Sequence, residues 1–175
     1  MAKMTYSKDL NSGEFAPYYK TYIDKVGPSD LMDALKSSSE EVVRFFQTIP
    51  LEKQDYAYAT GKWTIKEVLQ HIMDTERVFA YRALRFSRND KTPLQGFDEN
   101  AFVPECFANT RTMKSLLDEY EKARCSNLAM FASFSQDVLS RAGEANGSIM
   151  SVRALGFVMV GHEKHHCEVV KSRYL

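Results

Sequence analysis

Four stretches of this chain place apolar residues at intervals of three, four and seven, and that periodicity limits the fold more than any other feature. In the first, Leu31, Ala34, Leu35, Val42, Phe45, Phe46 and Ile49 line one helical face. Ser29 or Asp30 suits its start, and Pro50 ends it. Thr64-Ile-Lys-Glu67 has the pattern of a capping box. It predicts a second helix to about Arg88, with Ile65, Val68, Leu69, Ile72, Phe79, Ala83 and Phe86 as its stripe. Asn109 or Thr110 can open a third, carrying Met113, Leu116, Leu117, Tyr120, Leu128, Phe131 and Phe134. A fourth runs from about Ser151 to Tyr174, and PYYKTYIDKV (17–26) predicts a short helix before Gly27-Pro28.

No strand pair is expected, and AGEANGS (142–148) reads as a Gly-containing connection. Residues 89–109 hold Pro93, Gly96 and Pro104 without any period and form the longest loop; loops of that size carry function or local structure. Residues 1–14 are polar and are expected to be a partly ordered arm. Four single stripes bury one another most simply in an all-α, up-and-down four-helix bundle with additional short helices, as one domain over 1–175.

Charge narrows the partners. Lys plus Arg and Asp plus Glu each number 23, which leaves no basic excess for a nucleic-acid partner. No run approaches the ~18 apolar residues of a membrane span, and the N-terminus lacks the apolar core of a secretion signal. Cys106, Cys125 and Cys167 show no CxxC spacing and read as free thiols of a reducing compartment, so a cytoplasmic location is expected.

The last helix carries the chemistry. With Leu155 at zero, Val158, Met159, Val169 and Val170 cluster around the stripe, and His162 and His166 fall at about 340° and 20° on the ~100° helical step. Both imidazoles therefore lie in the middle of the face that must be buried. A buried polar group without a partner costs roughly 1–3 kcal/mol. A neutral imidazole pair at i, i+4 instead suits one divalent ion. His165, at about 280°, sits at the stripe's edge. His71 is the only other histidine; at about 240° from Ile65 it shares the flank of its helix with Thr75, Val78 and Arg82 and can reach sideways to a neighbour.

His162-Glu163-Lys164-His165-His166 also matches the H-E-x-x-H pattern of zinc proteases. Ser172 stands where the longer protease pattern has its third histidine, so the third ligand must come from upstream. Glu163 flanks the pair and is the candidate base for a metal-bound water. Asp74, Glu76 and Arg77 read first as exposed or half-buried ion pairs, and Asp74 or Glu76 as an acceptor orienting an imidazole. Arg82, Arg85 and Arg88 recur at threes beside the long loop; such a ridge is ordinarily a solvated face, and it can also hold a substrate carboxylate. Cys167 falls off the site face and is not taken as a ligand.

YATGKWTIKEVLQHIMDTERVFAYRALRFSRND (58–90), GFDENAFV (96–103) and SVRALGFVMVGHEKHHCEVVKSRYL (151–175), together with PYYKTYIDKV, resemble the DinB/YfiT-like superfamily, in its DinB_2-type branch. The resemblance implies a four-helix bundle with a three-histidine site for a divalent transition metal, zinc or nickel foremost, formed here by His71, His162 and His166. It also implies a homodimer, with waters completing the metal shell. Members of the superfamily include transferases and an isomerase that use a low-molecular-weight thiol such as bacillithiol or mycothiol, and others called metal-dependent hydrolases.

Three readings follow. In the first, the centre activates a low-molecular-weight thiol for transfer to an electrophilic small molecule. In the second, it hydrolyses a substrate with Glu163 as base. In the third, the metal is structural. Structural zinc normally has four protein ligands, and three histidines alone fall short of that.

Overall fold

The chain is described here from a computed structural model covering residues 4–175. Residues 1–3, part of the predicted N-terminal arm, lie outside the described residues. From residue 4 the arm is tethered along the bundle. Thr5 N–H donates to Asp30 Oδ2 at 2.6 Å, Leu31 N–H to the Thr5 carbonyl at 2.8 Å, and Glu14 pairs with Arg153.

The elements run in order as α1 (Lys20–Ile23), α2 (Leu31–Gln47), α3 (Ile65–Ser87), α4 (Glu99–Glu105), α5 (Met113–Ala132), α6 (Gln136–Leu139), β1 (Ala142–Ala145), β2 (Ser148–Ser151) and α7 (Val152–Arg173). The local signals act as their chemistry requires. Asp30 accepts from Met32 N–H and opens α2; Thr64 and Glu67 close a reciprocal capping box on α3. The third long helix starts later than expected, with Thr112 as its cap, because residues 108–110 form a single 3-10 turn. The Asn109 side chain there is held by Thr64 and Glu67.

A strand pair is present, contrary to expectation. β1 and β2 pair antiparallel, and Asn146 and Gly147 at the turn have φ of 50° and 70°. Asn-Gly is the preferred pair for a two-residue hairpin, because both central residues must take positive φ. Leu94 extends the hairpin: its N–H donates to Glu144 O and its carbonyl accepts from Asn146 N–H. The long connection is thereby pinned, and it carries α4 as well.

The bundle is formed by α2, α3, α5 and α7. Both α5 and α7 pack against α2 and α3. Its helices do not strictly alternate as an up-and-down bundle would. Leu31 lies against Gly156 and Glu41 reaches Lys164, so α2 and α7 run parallel. Arg111, just ahead of α5, donates to Gln70, and Arg124 pairs with Glu76 further along α3, so α3 and α5 run parallel as well. His71 meets His166 while Phe79 meets His162, which sets α3 antiparallel to α7. The senses are up, down, down, up. The 89–109 connection is what allows this, since it returns the chain along the bundle before α5 begins.

At the centre lies a buried polar knot. Arg124 of α5 is 1% exposed. Its guanidinium forks onto Glu76 of α3 with two contacts of 2.8 Å. It also donates to Glu163 of α7 at 2.6 and 3.2 Å and to the Leu35 carbonyl of α2 at 2.7 Å. Tyr120 O–H donates to Glu163 at 2.7 Å, and Asn127 to Glu76 at 2.9 Å. One side chain thus bonds to each of the other three long helices. Asp74 stays nearer the surface and pairs with Arg77.

Removing one partner of a buried charge network strands the others, at roughly 3–5 kcal/mol. Arg124→Ala should therefore lower unfolding free energy in urea by about that amount. Adding Glu76→Gln and Glu163→Gln should recover part of the loss. A loss for Arg124→Ala within the scatter of ordinary surface substitutions would contradict the assignment.

Candidate metal centre

Three of the histidines meet beside that knot. His71 comes from the second turn of α3, and His162 and His166 from successive turns of α7. His71 Nε2 lies 3.1 Å from His162 Nε2, and His166 Nε2 lies 3.0 Å from the same atom. The three ligand atoms fall within 4.8 Å of one another. His71 and His162 are buried and His166 is half-buried.

Hydrogen bonding alone fits this cluster poorly. A neutral imidazole nitrogen offers either one N–H or one lone pair. His162 Nε2 can therefore make one proper hydrogen bond with its two neighbours, not two. Three lone pairs aimed at one cation remove the conflict. Nitrogens about 2.0–2.1 Å from a zinc-like ion stand about 2.9–3.4 Å apart at the usual ligand angles, and the two spacings seen agree. His71 Nδ1 faces Thr75 Oγ1 at 3.5 Å, a long contact that leaves Nε2 as the inward nitrogen.

The electrostatics favour neutral rings. Burial lowers the His71 pKa to about 4 and that of His166 to about 3. Burial, and then the neighbouring imidazoles, put His162 well below its ordinary value. No cysteine or carboxylate among the described residues joins the three nitrogens, so an ion there would keep open positions, as catalytic sites do.

The other predicted residues separate. His165 lies outside the group and packs edge-on against Tyr22 at 5.5 Å between ring centroids. Glu163 does not face the nitrogens as the base reading requires. It is fully buried, both its oxygens are held by Arg124 and Tyr120, and burial pushes its carboxyl above the usual range against the pull of Arg124. The one-residue step from His162 turns it by about 100°, into the bundle. It is a positioning residue for α7. Glu76, expected in a surface or half-buried pair, belongs to the same buried knot. Cys167 is away from the nitrogens, between α2 and α7, where burial pushes its thiol up to about 12. The arginine ridge is divided. Arg82 is buried, Arg85 pairs with Asp90, and Arg88 is exposed.

A cavity of about 560 Å³ opens over the three nitrogens. Its walls are Trp63, then Tyr19 and Tyr22 from the first helical turns, Thr75, Phe79 and Arg82 of α3, Phe97 and Glu99 of the long connection, and Asn146 and Ser148 at the hairpin turn. That volume suits a small molecule. Trp63 lies tilted against His71 with 4.7 Å between ring centroids, and Tyr22 meets His162 edge-on at 5.5 Å. Gly161 makes the second contact possible. A Cβ there would lie 1.9 Å from the Tyr22 carbonyl oxygen, so only glycine lets α1 approach α7 beside His162. A Gly inside a helix is the sequence signal that marks this close approach.

The lowered histidine values fix a pH dependence. Below its ordinary value of about 6.5 an unfolded histidine takes up a proton that the folded ring refuses. Metal-free protein is therefore most stable above about 6.5 and weakens as pH falls towards 4. Urea unfolding after chelator treatment should show at least about 2 kcal/mol less stability at pH 5 than at pH 7. The triple variant of His71, His162 and His166 to Leu should flatten the profile. An equal slope in both proteins would contradict buried neutral rings. Gly161→Ala should lower stability and weaken metal retention together, read by unfolding and elemental analysis.

Solved structures share this fold. YfiT from Bacillus subtilis, described as a "probable metal-dependent hydrolase with an unusual four-helix bundle topology", superposes with a TM-score of 0.71 at 17% identity over 85% of this chain and 86% of its own. A mycothiol-dependent maleylpyruvate isomerase gives 0.67 at 12% identity over 94% of this chain, which spans only 62% of the isomerase. At such identities these likenesses speak for the fold. No curated protein sequence matches the chain. The family model for the DinB superfamily (DinB_2) matches residues 34–170, from within α2 to near the end of α7, and the chain belongs to that superfamily.

Proposed function

We propose that this chain is a metal-dependent enzyme that joins a low-molecular-weight thiol to an electrophilic small molecule. The observation that carries the reading is a three-nitrogen cluster opening on a small-molecule cavity while the adjacent carboxylate, Glu163, is locked away from it. His71, His162 and His166 would hold a divalent ion, zinc or nickel foremost. Bound there, such an ion would lower the pKa of a thiol ligand so that its proton passes to solvent, and no protein base would be needed to make the nucleophile.

The chain's own residues do the rest. Thr75 and Trp63 fix the His71 ring. Glu163, through Arg124, fixes the rotation of α7 that turns His162 and His166 to the cavity. Tyr22 and Phe79 cover the His162 ring from the side and exclude water there. A nucleophile generated in such an environment is shielded from bulk solvent, which strengthens every charge interaction made by the incoming substrate. The mycothiol dependence of the isomerase that shares this fold supports a thiol cosubstrate. The hydrolase wording attached to YfiT supports the competing reading, in which water takes the open position.

Untagged protein should retain close to one equivalent of a transition metal per chain. His162→Ala should drop retention at least tenfold, since ligand loss removes a large part of the binding free energy. The metal-loaded protein, offered monochlorobimane with cysteine, glutathione, mycothiol or bacillithiol, should form a conjugate that His162→Ala abolishes. Turnover of esters or amides without any thiol conjugation would overturn the transferase reading in favour of hydrolysis. Metal-dependent folding without either activity would leave a structural ion.

A further inference from the structure

Arg82 is a buried cation in the wall of the metal cavity, and no acidic group among the described residues pairs with it. It is 3% exposed. Its guanidinium donates to the Gln95 carbonyl at 3.1 Å and stacks over the Phe79 ring with 5.6 Å to the centroid. Among the described residues it makes no ion pair. Burial lowers its pKa, and the group pulling it back is the Tyr19 hydroxyl rather than a carboxylate. Glu99 is the acidic side chain lining the cavity; it is exposed at the rim and makes no salt bridge with Arg82.

The contrast with Arg124 is instructive. That guanidinium, still more deeply buried, has two carboxylates. A buried charge without a counter-ion is costly, and the cost is retained here at one place, a cavity wall beside the three histidines. Arginine presents a fork of donors matched to a carboxylate. Phe79 links the two features: its ring lies 6.5 Å from the His162 ring and carries Arg82 on its other contact. A ligand of a few carbon atoms can span them. The Gln95 carbonyl ties the guanidinium to the long connection, so the loop that closes the cavity also aims the cation.

We propose that Arg82 is the anion-binding residue of the cavity and that the ligand taken there carries a carboxylate. This deepens the thiol-transfer reading by naming a chemical class for its substrates, and it rests on that reading only for which substrate bears the group. The carboxylate can belong to the electrophile or to the thiol.

Benzoate and its neutral analogue benzamide are the first probes. Calorimetric titration is done on the protein as purified and again after chelator treatment. Benzoate should bind in both preparations and benzamide at least tenfold more weakly. Arg82→Gln should remove that preference while leaving metal content unchanged, and Arg82→Lys should restore part of it. A purely structural arginine would not change the ratio of the two affinities. Equal binding of the two probes, no binding of benzoate, or a preference that survives Arg82→Gln would overturn the proposal. Because the stripped protein is included, failure of the metal reading leaves this result intact and distinguishable.

A second arm locates the carboxylate. Cobalt-loaded protein is titrated with glutathione and with 2-mercaptoethanol, with and without benzoate, and thiol binding is followed by the cobalt absorption. Benzoate that displaces glutathione alone puts the carboxylate on the thiol. Benzoate that displaces neither puts it on the electrophile. Displacement of both thiols, retained in Arg82→Gln, would show benzoate on the metal and would overturn the assignment.

Discussion

The guanidinium of Arg124 is the constraint on which the rest of this structure depends. It sits where four helices meet, and its donors reach α2, α3 and α7 at once. Hydrophobic stripes bring helices together but tolerate sliding and rotation, because burial is not directional. Charged hydrogen bonds in a dry interior do not tolerate either. Arg124 fixes the rotation of α7 through Glu163 and of α3 through Glu76. Those same helices carry the three imidazoles, one residue away from Glu163 and about a turn and a half from Glu76. The bundle core and the histidine cluster are therefore two faces of one arrangement.

That arrangement has an electrostatic consequence. Two carboxylates face one guanidinium, so the knot holds formally more negative than positive charge. The neighbouring imidazoles are neutral and kept so by burial. A divalent cation among them would add the positive charge that this part of the interior lacks. Arg82, in the wall of the same cavity, has the opposite imbalance. The cavity thus runs from a site suited to a cation to one suited to an anion, and a polar small molecule entering it has a preferred direction.

Much of this was legible in the sequence. The helical periods of four stretches and the Thr64–Glu67 box located the long helices, and the stripe position of His162 and His166 marked two of the three histidines that cluster. The helix-wheel placement of His71 was ambiguous, because a flank residue becomes a site residue only once a neighbour's position is known. Other features needed tertiary context for a stated reason. H-E-x-x-H suggested a base, yet Glu163 turns into the core, since adjacent helical residues point about 100° apart. The hairpin was hidden by its brevity, although Asn146-Gly147 carried the turn signal. The rule that singled out the histidines also applies to Glu76. It falls about 20° from Ile65 on the ~100° step, inside the apolar stripe, and so belongs with buried polar groups needing a partner. Arg124 follows Tyr120 and Leu117 at fours and sevens on its own helix. The direction of α5 could not be read locally, because it depends on where the 25-residue connection from α3, 88–112 in the chain, lets go.

The most direct test of the central claim is an anomalous difference map from crystals of metal-loaded protein, collected on both sides of the metal's absorption edge. The account predicts one strong peak per chain, with three Nε2 atoms at about 2.0–2.1 Å and no carboxylate or thiol oxygen or sulfur from the chain among its ligands. A peak elsewhere, or histidine rings that turn away from one another in the loaded crystal, would contradict it.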